Sequence, residues 1–187
     1  GGKVSMNDID VTKRQLDTLQ DIYILPEEFD APKISFEKYV RLHAPLYPRF
    51  DYEQLGFCMT EFELPMDVDL KSLSMGQKKK AMLCFALATG TRLLLLDEPT
   101  NHMDIISKET LEDILKDYKG DYMLESFNPF IVRAMKKYLP NALYGQLYYN
   151  RCRDKKKYDL INVTYTGMIE RGEKVPKLET FITIANV

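Results

Sequence analysis

The sequence predicts an α/β protein whose mostly parallel sheet is flanked by helices, with a helical subdomain at about residues 32–90. The first observation is the run RLLLLD (92–97), which lacks polar alternation and is therefore typical of a buried strand. The second is the alternation of strand and helix patterns over residues 92–139, which is typical of a parallel sheet. The third is a hydrophobic content of 45% in 187 residues, enough for a sizeable core.

Composition excludes several classes of protein. A net charge of −2 gives no direct signal for nucleic-acid binding. Three cysteines without a CxxC pair, and only two histidines, argue against a disulfide scaffold or a structural zinc site. Gly90 and Arg92 interrupt the longest apolar stretch, so the sequence predicts no transmembrane segment. We therefore expect a cytoplasmic protein, which a partner could hold at the periphery of a membrane.

The amino-terminal half contains two strand patterns and two helix patterns. KVSMND (3–8) alternates apolar and polar residues, and IYIL (22–25) is a second strand candidate. Between them, VTKRQLDTLQ (11–20) is typical of a short polar helix or a loop. Helices are predicted within ISFEKYVRLHAPLY (34–47), where prolines end the pattern, and within DYEQLGFCMTEFEL (51–64).

The rest of the chain continues the alternation. QKKKAMLCFALATG (77–90) predicts a helix that Gly90 closes, before the strand RLLLLD. SKETLEDILKDYKG (107–120) predicts an amphipathic helix with Gly120 as its stop, and DYMLESF (121–127) predicts a strand. NPFIVRAMKKYLP (128–140) predicts a helix that an Asn-Pro pair opens.

Two polar motifs suggest a nucleotide site. Asp97 and Glu98 follow a leucine strand, where one carboxylate can hold Mg²⁺ and the next can orient or deprotonate a water. LSMGQ (73–77) lies one helix earlier, and its Ser74 and Gly76 come at the start of that helix. A serine hydroxyl and free backbone N–H groups there form an anion site.

The stretch from LSMGQ to NHMD (73–104) resembles the signature motif, Walker B strand and D-loop of ABC-type ATPases. We refer to residues 73–77 as the signature segment and to residues 99–104 as the D-loop segment. YILPEEFD (23–30) is similar to the Q-loop of that family and is referred to as the Q-loop segment. The resemblance covers residues 3–125.

The resemblance implies ATP and Mg²⁺ as cofactors and a second ATPase domain as a head-to-tail partner. Ser74 and Gly76 would face the γ-phosphate bound by that partner, and Asp97 would help hold Mg²⁺. Gln77 would also belong to the cofactor site. Glu98 would be the catalytic base. Glu27 would occupy the usual place of the Q-loop glutamine. Asp104 would contact the partner domain.

Two parts of the family's site are missing from this sequence. It contains no G-x-x-x-x-G-K-[ST], the loop whose backbone amides and lysine hold phosphates. The nearest approach, GMIERGEKV, has Gly167 and Gly172 at the right spacing, but Glu173 intrudes. Phe127 occupies the place of the switch histidine. We therefore expect the chain alone neither to hydrolyse ATP nor to bind it tightly.

Three hypotheses about function stay open. The first is an ABC-type ATPase fragment at 1–125, with a membrane permease or the ribosome as partner: the Q-loop segment resembles exporters, whereas residues 100–120 resemble the class F proteins. The second is a phosphodiesterase, because residues 122–147 are similar to a strand and helix of glycerophosphodiester phosphodiesterases. The third is a non-catalytic interaction or structural domain. On any of these hypotheses, we expect residues 126–187 to form a separate C-terminal α/β segment, and the whole chain is then a natural remnant, an assembly artefact or an engineered chimera.

Overall fold

The computed structural model describes residues 5–6, 9–126, 128–140, 142–147 and 160–162. The chain divides into two compact units. The first, the central unit, spans residues 20–122, and the second, the terminal unit, combines residues 1–19 with residues 123–187. The sequence-based boundary at residue 125 stays a prediction.

The central unit alternates strands with helices, as the α/β prediction requires. After helix α1 (Leu16–Asp21), which crosses its boundary, it contains the following elements: β3 (Ile22–Leu25), α2 (Phe36–His43), a 3-10 turn (Ala44–Leu46), α3 (Tyr52–Glu61), α4 (Met75–Ala88), β4 (Leu93–Asp97) and α5 (Ile105–Lys116). Strands β3 and β4 pair in parallel, with Leu25 opposite Leu96. The parallel sheet and the helical stretch between its strands are therefore confirmed.

Local sequence explains where these helices begin. Ser35, Asp51 and Ser74 each accept a hydrogen bond from a backbone N–H of the first turn of α2, α3 and α4, respectively. Gly90 has a φ of +60° just beyond α4, the left-handed conformation that commonly ends a helix. Helix α4 is buried on all sides from Ala81 to Ala88, which makes it the centre of the unit.

An aromatic cluster packs the helical stretch against the sheet. Phe85 of α4 is fully buried, and its ring lies 5.1–6.4 Å from five neighbouring rings, those of Tyr23, Tyr39, His43, Tyr47 and Phe50. Tilted and edge-on pairs at such distances contribute beyond their buried area. Because Tyr23 belongs to β3 and the others to the helical stretch, this cluster fixes α4 against the strands.

Helix α5 differs from its predicted position. It runs from Ile105 to Lys116, so it begins two residues before the predicted start at Ser107 and ends before Gly120. The reason is Asp104, whose carboxylate accepts the backbone N–H of Ser107 and caps the helix. Gly120 instead lies against the carbonyl of Thr91, where a Cβ would collide.

The terminal unit contains its own strands. A short antiparallel pair, β1 (Ser5–Met6) and β2 (Ile9–Asp10), is followed by a 3-10 turn (Val11–Lys13). The carboxyl-terminal elements are as follows: β5 (Asp121–Ser126), which crosses the boundary, α6 (Pro129–Tyr138), β6 (Leu143–Leu147) and β7 (Leu160–Asn162). Strands β5, β6 and β7 pair in parallel in that order. Among the described residues, no helix is long and apolar enough to cross a membrane.

Candidate functional site

The strand that ends in the two acidic residues lies in the core of the central unit. Leu94 and Leu96 are at most 1% exposed, in agreement with the predicted buried strand. Asp97 is 8% exposed and Glu98 is 2% exposed. Glu98 has a φ of +45°, so the chain turns sharply immediately after the strand. A non-glycine residue in this conformation is uncommon and is found in turns and at functional sites.

The environment of Asp97 favours an added positive charge. Burial raises the pKa of its carboxyl group to about 6, and the nearby carboxylates of Glu27 and Glu98 also raise it. A hydrogen bond from the backbone of Glu27 and the charge of Lys79 oppose this rise. A buried carboxylate with other carboxylates beside it is stabilised by a cation, so the electrostatics of this position suit a metal ligand.

The Q-loop segment and the D-loop segment are joined by a side-chain contact. The amide of Asn101 donates a hydrogen bond of 2.7 Å to Oε1 of Glu27. Within the D-loop segment, Asn101 N–H donates to the carbonyl of Glu98, and His102 has a φ of +64°. The hydroxyl of Thr100 is buried and has no hydrogen-bond partner within the part of the chain that the structure describes. Glu98 and His102, which both have a positive φ, thus bend the chain at the two ends of residues 98–102.

The signature segment opens helix α4 with a reciprocal cap. The hydroxyl of Ser74 accepts the N–H of Gln77 at 3.3 Å, and Oε1 of Gln77 accepts the N–H of Ser74 at 3.1 Å. This capping box leaves both side chains exposed at the end of the helix. In general, backbone N–H groups at the start of a helix that its cap does not use can bind an anion.

Gly76 brings the signature segment against the D-loop segment. A Cβ built on Gly76 would overlap the carbonyl oxygen of His102 and would lie 3.5 Å from its carbonyl carbon. Only a residue without a side chain allows this approach. One turn further along α4, a second contact joins this helix to the D-loop segment: the ammonium of Lys80 lies 3.2 Å from the carboxylate of Asp104.

Asp104 is exposed, and its side chain caps the start of α5. Hydrogen bonds from the backbone and hydroxyl of Ser107 lower the pKa of the Asp104 carboxyl well below its ordinary value, and Lys80 adds to this effect. The two residues that follow, Ile105 and Ile106, are 74% and 75% exposed. The first turn of α5 therefore presents an acidic group beside an apolar pair.

A buried lysine, which the sequence did not single out, lies at the centre of this arrangement. Lys79 is 1% exposed, and its ammonium donates to backbone carbonyls of Pro26, Glu27 and Asp97. A sequence signal existed: Lys79 lies one and a half turns into a helix whose residues 81–88 are all apolar or small, so one lysine of the KKK run had to face inward. Asn101 was also missed, because its contact with Glu27 spans 74 residues.

The candidate site brings together most of the residues that the sequence predicted. The contacts of Lys79 and Asn101 join Glu27 to Asp97 and to the D-loop segment, and Gly76 and Lys80 join the signature segment to the same loop. Phe127, Gly167 and Gly172 lie outside the described residues. Among the described residues, no group of three or more His, Cys, Asp or Glu could hold a metal. The phosphodiesterase hypothesis stays a prediction.

Comparison with known proteins relates residues 2–101 to the family described as ABC transporter. An uncharacterized ABC transporter ATP-binding protein of Bacillus subtilis is 51% identical over 57 residues, which are 30% of this chain and 11% of that protein. ABC transporter F family member 5 of Arabidopsis thaliana is 37% identical over 81 residues, 43% of this chain and 12% of that protein. The chain therefore spans about a tenth of the length of each of these relatives.

A solved structure, that of the ATP-binding subunit of an ABC transporter, shares the fold. It superposes with a TM-score of 0.67 at 17% sequence identity, covering 100% of this chain and 77% of the other. At this identity the likeness concerns the fold alone.

Proposed function

Because the chain belongs to the ABC transporter family, we propose that its central unit supplies the signature, D-loop and Mg²⁺-binding parts of an ATP site. Domains of this family bind ATP. The observation that carries the proposal is the contiguous packing of three motifs that lie apart in sequence. Gly76 packs on His102, and the same helix donates a hydrogen bond from Lys79 to the carbonyl of Asp97. The signature helix, the D-loop segment and the acidic strand end thus form one cluster.

Mg²⁺ fits the residues that are present. It is usually held by one or two carboxylates together with the phosphates of a nucleotide, and it does not require a closed cage of protein ligands. Asp97 offers such a carboxylate in surroundings that favour a cation. Three residues after Asp97, the hydroxyl of Thr100 adds a buried polar atom that has no hydrogen-bond partner among the described residues. When bound, Mg²⁺ would neutralise charge on the phosphates.

The exposure of the site residues divides them into two groups with different proposed roles. Asp97 and Glu98 are buried, which suits a metal ligand and a base that acts on water. Ser74, Gln77 and Asp104 are exposed, which suits contacts with a second domain and with the γ-phosphate that it binds. The neighbouring exposed pair Ile105–Ile106 supports a partner at this face, since large apolar side chains gain by being covered. We therefore propose a head-to-tail pair of ABC ATP-binding domains.

The phosphate loop of the proposed site lies outside these 187 residues. They contain no G-x-x-x-x-G-K-[ST], the sequence whose backbone amides and lysine supply most of the affinity for phosphates. On this proposal the 187 residues are inactive by themselves. Of the two ABC classes that the sequence resembles, we favour class F over the exporters, and the similarity to an F family member supports this choice.

Titration calorimetry with Mg-ATP tests the proposal. The 187-residue chain should bind no more tightly than in the millimolar range, whereas a version carrying a phosphate loop ahead of Gly1 should reach micromolar affinity. In that longer version, Asp97→Asn should weaken binding of Mg-ATP more than binding of ATP without metal. Micromolar binding of Mg-ATP by the 187 residues alone would refute the proposal that they lack the phosphate-binding part of the site. Equal, weak binding by both versions would favour a non-catalytic interaction domain that retains the fold.

A further inference from the structure

Lys79 occupies an unusual position for a lysine. It is the middle member of the run Lys78–Lys80 on α4, and only 1% of its surface is exposed. Its neighbours in the run are partly exposed, and Lys80 forms an ion pair with Asp104. Buried lysines are rare unless their charge is compensated, so the position calls for a specific reason.

The ammonium of Lys79 uses all of its donors on backbone carbonyls. Nζ lies 3.0 Å from the oxygen of Pro26, 3.3 Å from that of Glu27 and 3.0 Å from that of Asp97. An ammonium group has three N–H donors and no acceptor, so three carbonyls saturate it. Its hydrogen bonds are satisfied without any side-chain oxygen.

The three carbonyls come from the ends of two adjacent parallel strands. Pro26 and Glu27 follow β3 directly, and Asp97 is the last residue of β4. The register of the pair runs up to Leu25 opposite Leu96, so the carbonyls that Lys79 binds lie where the pairing of the strands ends. Backbone carbonyls that are buried require a donor, and here one side chain from α4 provides it for both strand ends.

Three carboxylates near the ammonium compensate for its burial. Burial lowers the pKa of Lys79 to about 8, and the carboxylates of Asp97, Glu27 and Glu98 oppose this change. The site therefore contains a compensated charge, and the three carboxylates that compensate it belong to the segments that the ammonium joins.

We propose that Lys79 is a positioning residue, whose ammonium fixes the start of the Q-loop segment and the end of β4 to the signature helix α4. It acts through backbone atoms. The hydrogen bond from Asn101 to Glu27 carries the link on to the D-loop segment, which Gly76 contacts from the other side. The ammonium thus holds the backbone at Glu27 and Asp97 against the helix that Ser74 opens. This role concerns the interior of the central unit and does not depend on nucleotide binding.

Hydrogen exchange followed by mass spectrometry distinguishes this role from a general contribution to stability. Lys79→Met keeps the length and apolar stem of the side chain and removes the donors. The amides of Glu27 and Asn101, which donate to the carboxyl of Asp97 and the carbonyl of Glu98, should exchange about tenfold faster or more in this variant. The amides of α2 and α3 should be unchanged, because local opening is governed by local contacts. The matched control is Lys80→Met, which should affect only the residues around Asp104. Equal acceleration throughout residues 20–122, or no acceleration, would overturn the proposal.

A measurement on the wild-type chain covers the case in which Lys79→Met does not fold. In a ¹⁵N-lysine-labelled sample at neutral pH, a buried ammonium bonded to three carbonyls exchanges its protons slowly and gives a visible Hζ–Nζ correlation. Exposed lysines give none, because water removes their protons rapidly. We expect one such signal that is present in Lys80→Met and absent in Lys79→Gln. If no protected ammonium is observed, the proposed link does not exist.

Discussion

Replacing Gly76 by alanine tests the contact between the signature segment and the D-loop segment. The new Cβ would overlap the carbonyl oxygen of His102, which belongs to a backbone turn and cannot rotate away as a side chain could. Overpacking of this kind costs about 1–3 kcal/mol. Alanine also favours helix over glycine by up to about 1 kcal/mol, and Gly76 lies in the first turn of α4, where that gain is incomplete. The net expectation is a loss of about 1–2 kcal/mol in the free energy of unfolding.

Gly56→Ala is the matched control, because the chain offers a second helical glycine in open space. Apart from its chain neighbours and the backbone of α3 itself, no atom of the described residues lies within 4 Å of a Cβ built on Gly56, in the middle of α3. The same substitution there should stabilise the protein by about 0.5–1 kcal/mol. The two variants thus differ in the sign of their effect, although the chemical change is identical.

Urea denaturation followed by far-UV circular dichroism measures both variants, and it suits a chain without tryptophan. The midpoint should fall for Gly76→Ala and rise for Gly56→Ala, with similar slopes. A midpoint for Gly76→Ala at or above the wild-type value would mean that the signature and D-loop segments are not in contact, and the cluster on which the proposed function rests would be wrong.

Two further predictions concern the strand and the cap. Leu96→Ala should lower the free energy of unfolding by about 2–5 kcal/mol, because it leaves a cavity beside β3; an unchanged urea midpoint would contradict the buried parallel pair. Asp104 has a lowered pKa, so its contribution to stability is present above its ordinary pKa of 3.8 and is lost as the pH falls through and below that value. Asp104→Asn keeps a capping side chain but removes the titration, so its stability between pH 5 and pH 3 should fall less than that of the wild type. Equal acid sensitivity of the two proteins would show that Asp104 carries no such contribution.

Those parts of the fold that local physical chemistry determines could be predicted from the sequence. The leucine run before Asp97 predicts a buried strand because it leaves no polar face for solvent. Gly90 predicts the end of α4 because glycine adopts a positive φ without strain. Each of these signals depends on neighbours within four residues, and each was confirmed.

The missed features depend on contacts between distant parts of the chain. Lys79 contacts residues that lie 18, 52 and 53 positions away, and no local pattern assigns partners at such separations. The early start of α5 is a different kind of miss. The resemblance assigned Asp104 to contact with a partner, whereas in the structure its carboxylate also caps α5. The roles of Glu98 and of the signature segment in chemistry stay predictions, because they concern groups that a nucleotide and a second domain would supply.

Sedimentation of Glu98→Gln tests the central claim. According to that claim, the signature segment contacts ATP phosphates that the phosphate loop of a second domain holds. Glutamine keeps the shape of Glu98 and removes the proton acceptor, so ATP persists wherever a complete site forms. The 187-residue variant should sediment identically with and without Mg-ATP, whereas the same variant carrying a phosphate loop ahead of Gly1 should dimerise only with Mg-ATP. Ser74→Arg should abolish that dimer, and Ser72→Arg, two residues outside the cap, should leave it intact. An ATP-induced dimer of the 187 residues alone, or a dimer of the longer version that is indifferent to Ser74→Arg, would contradict the account.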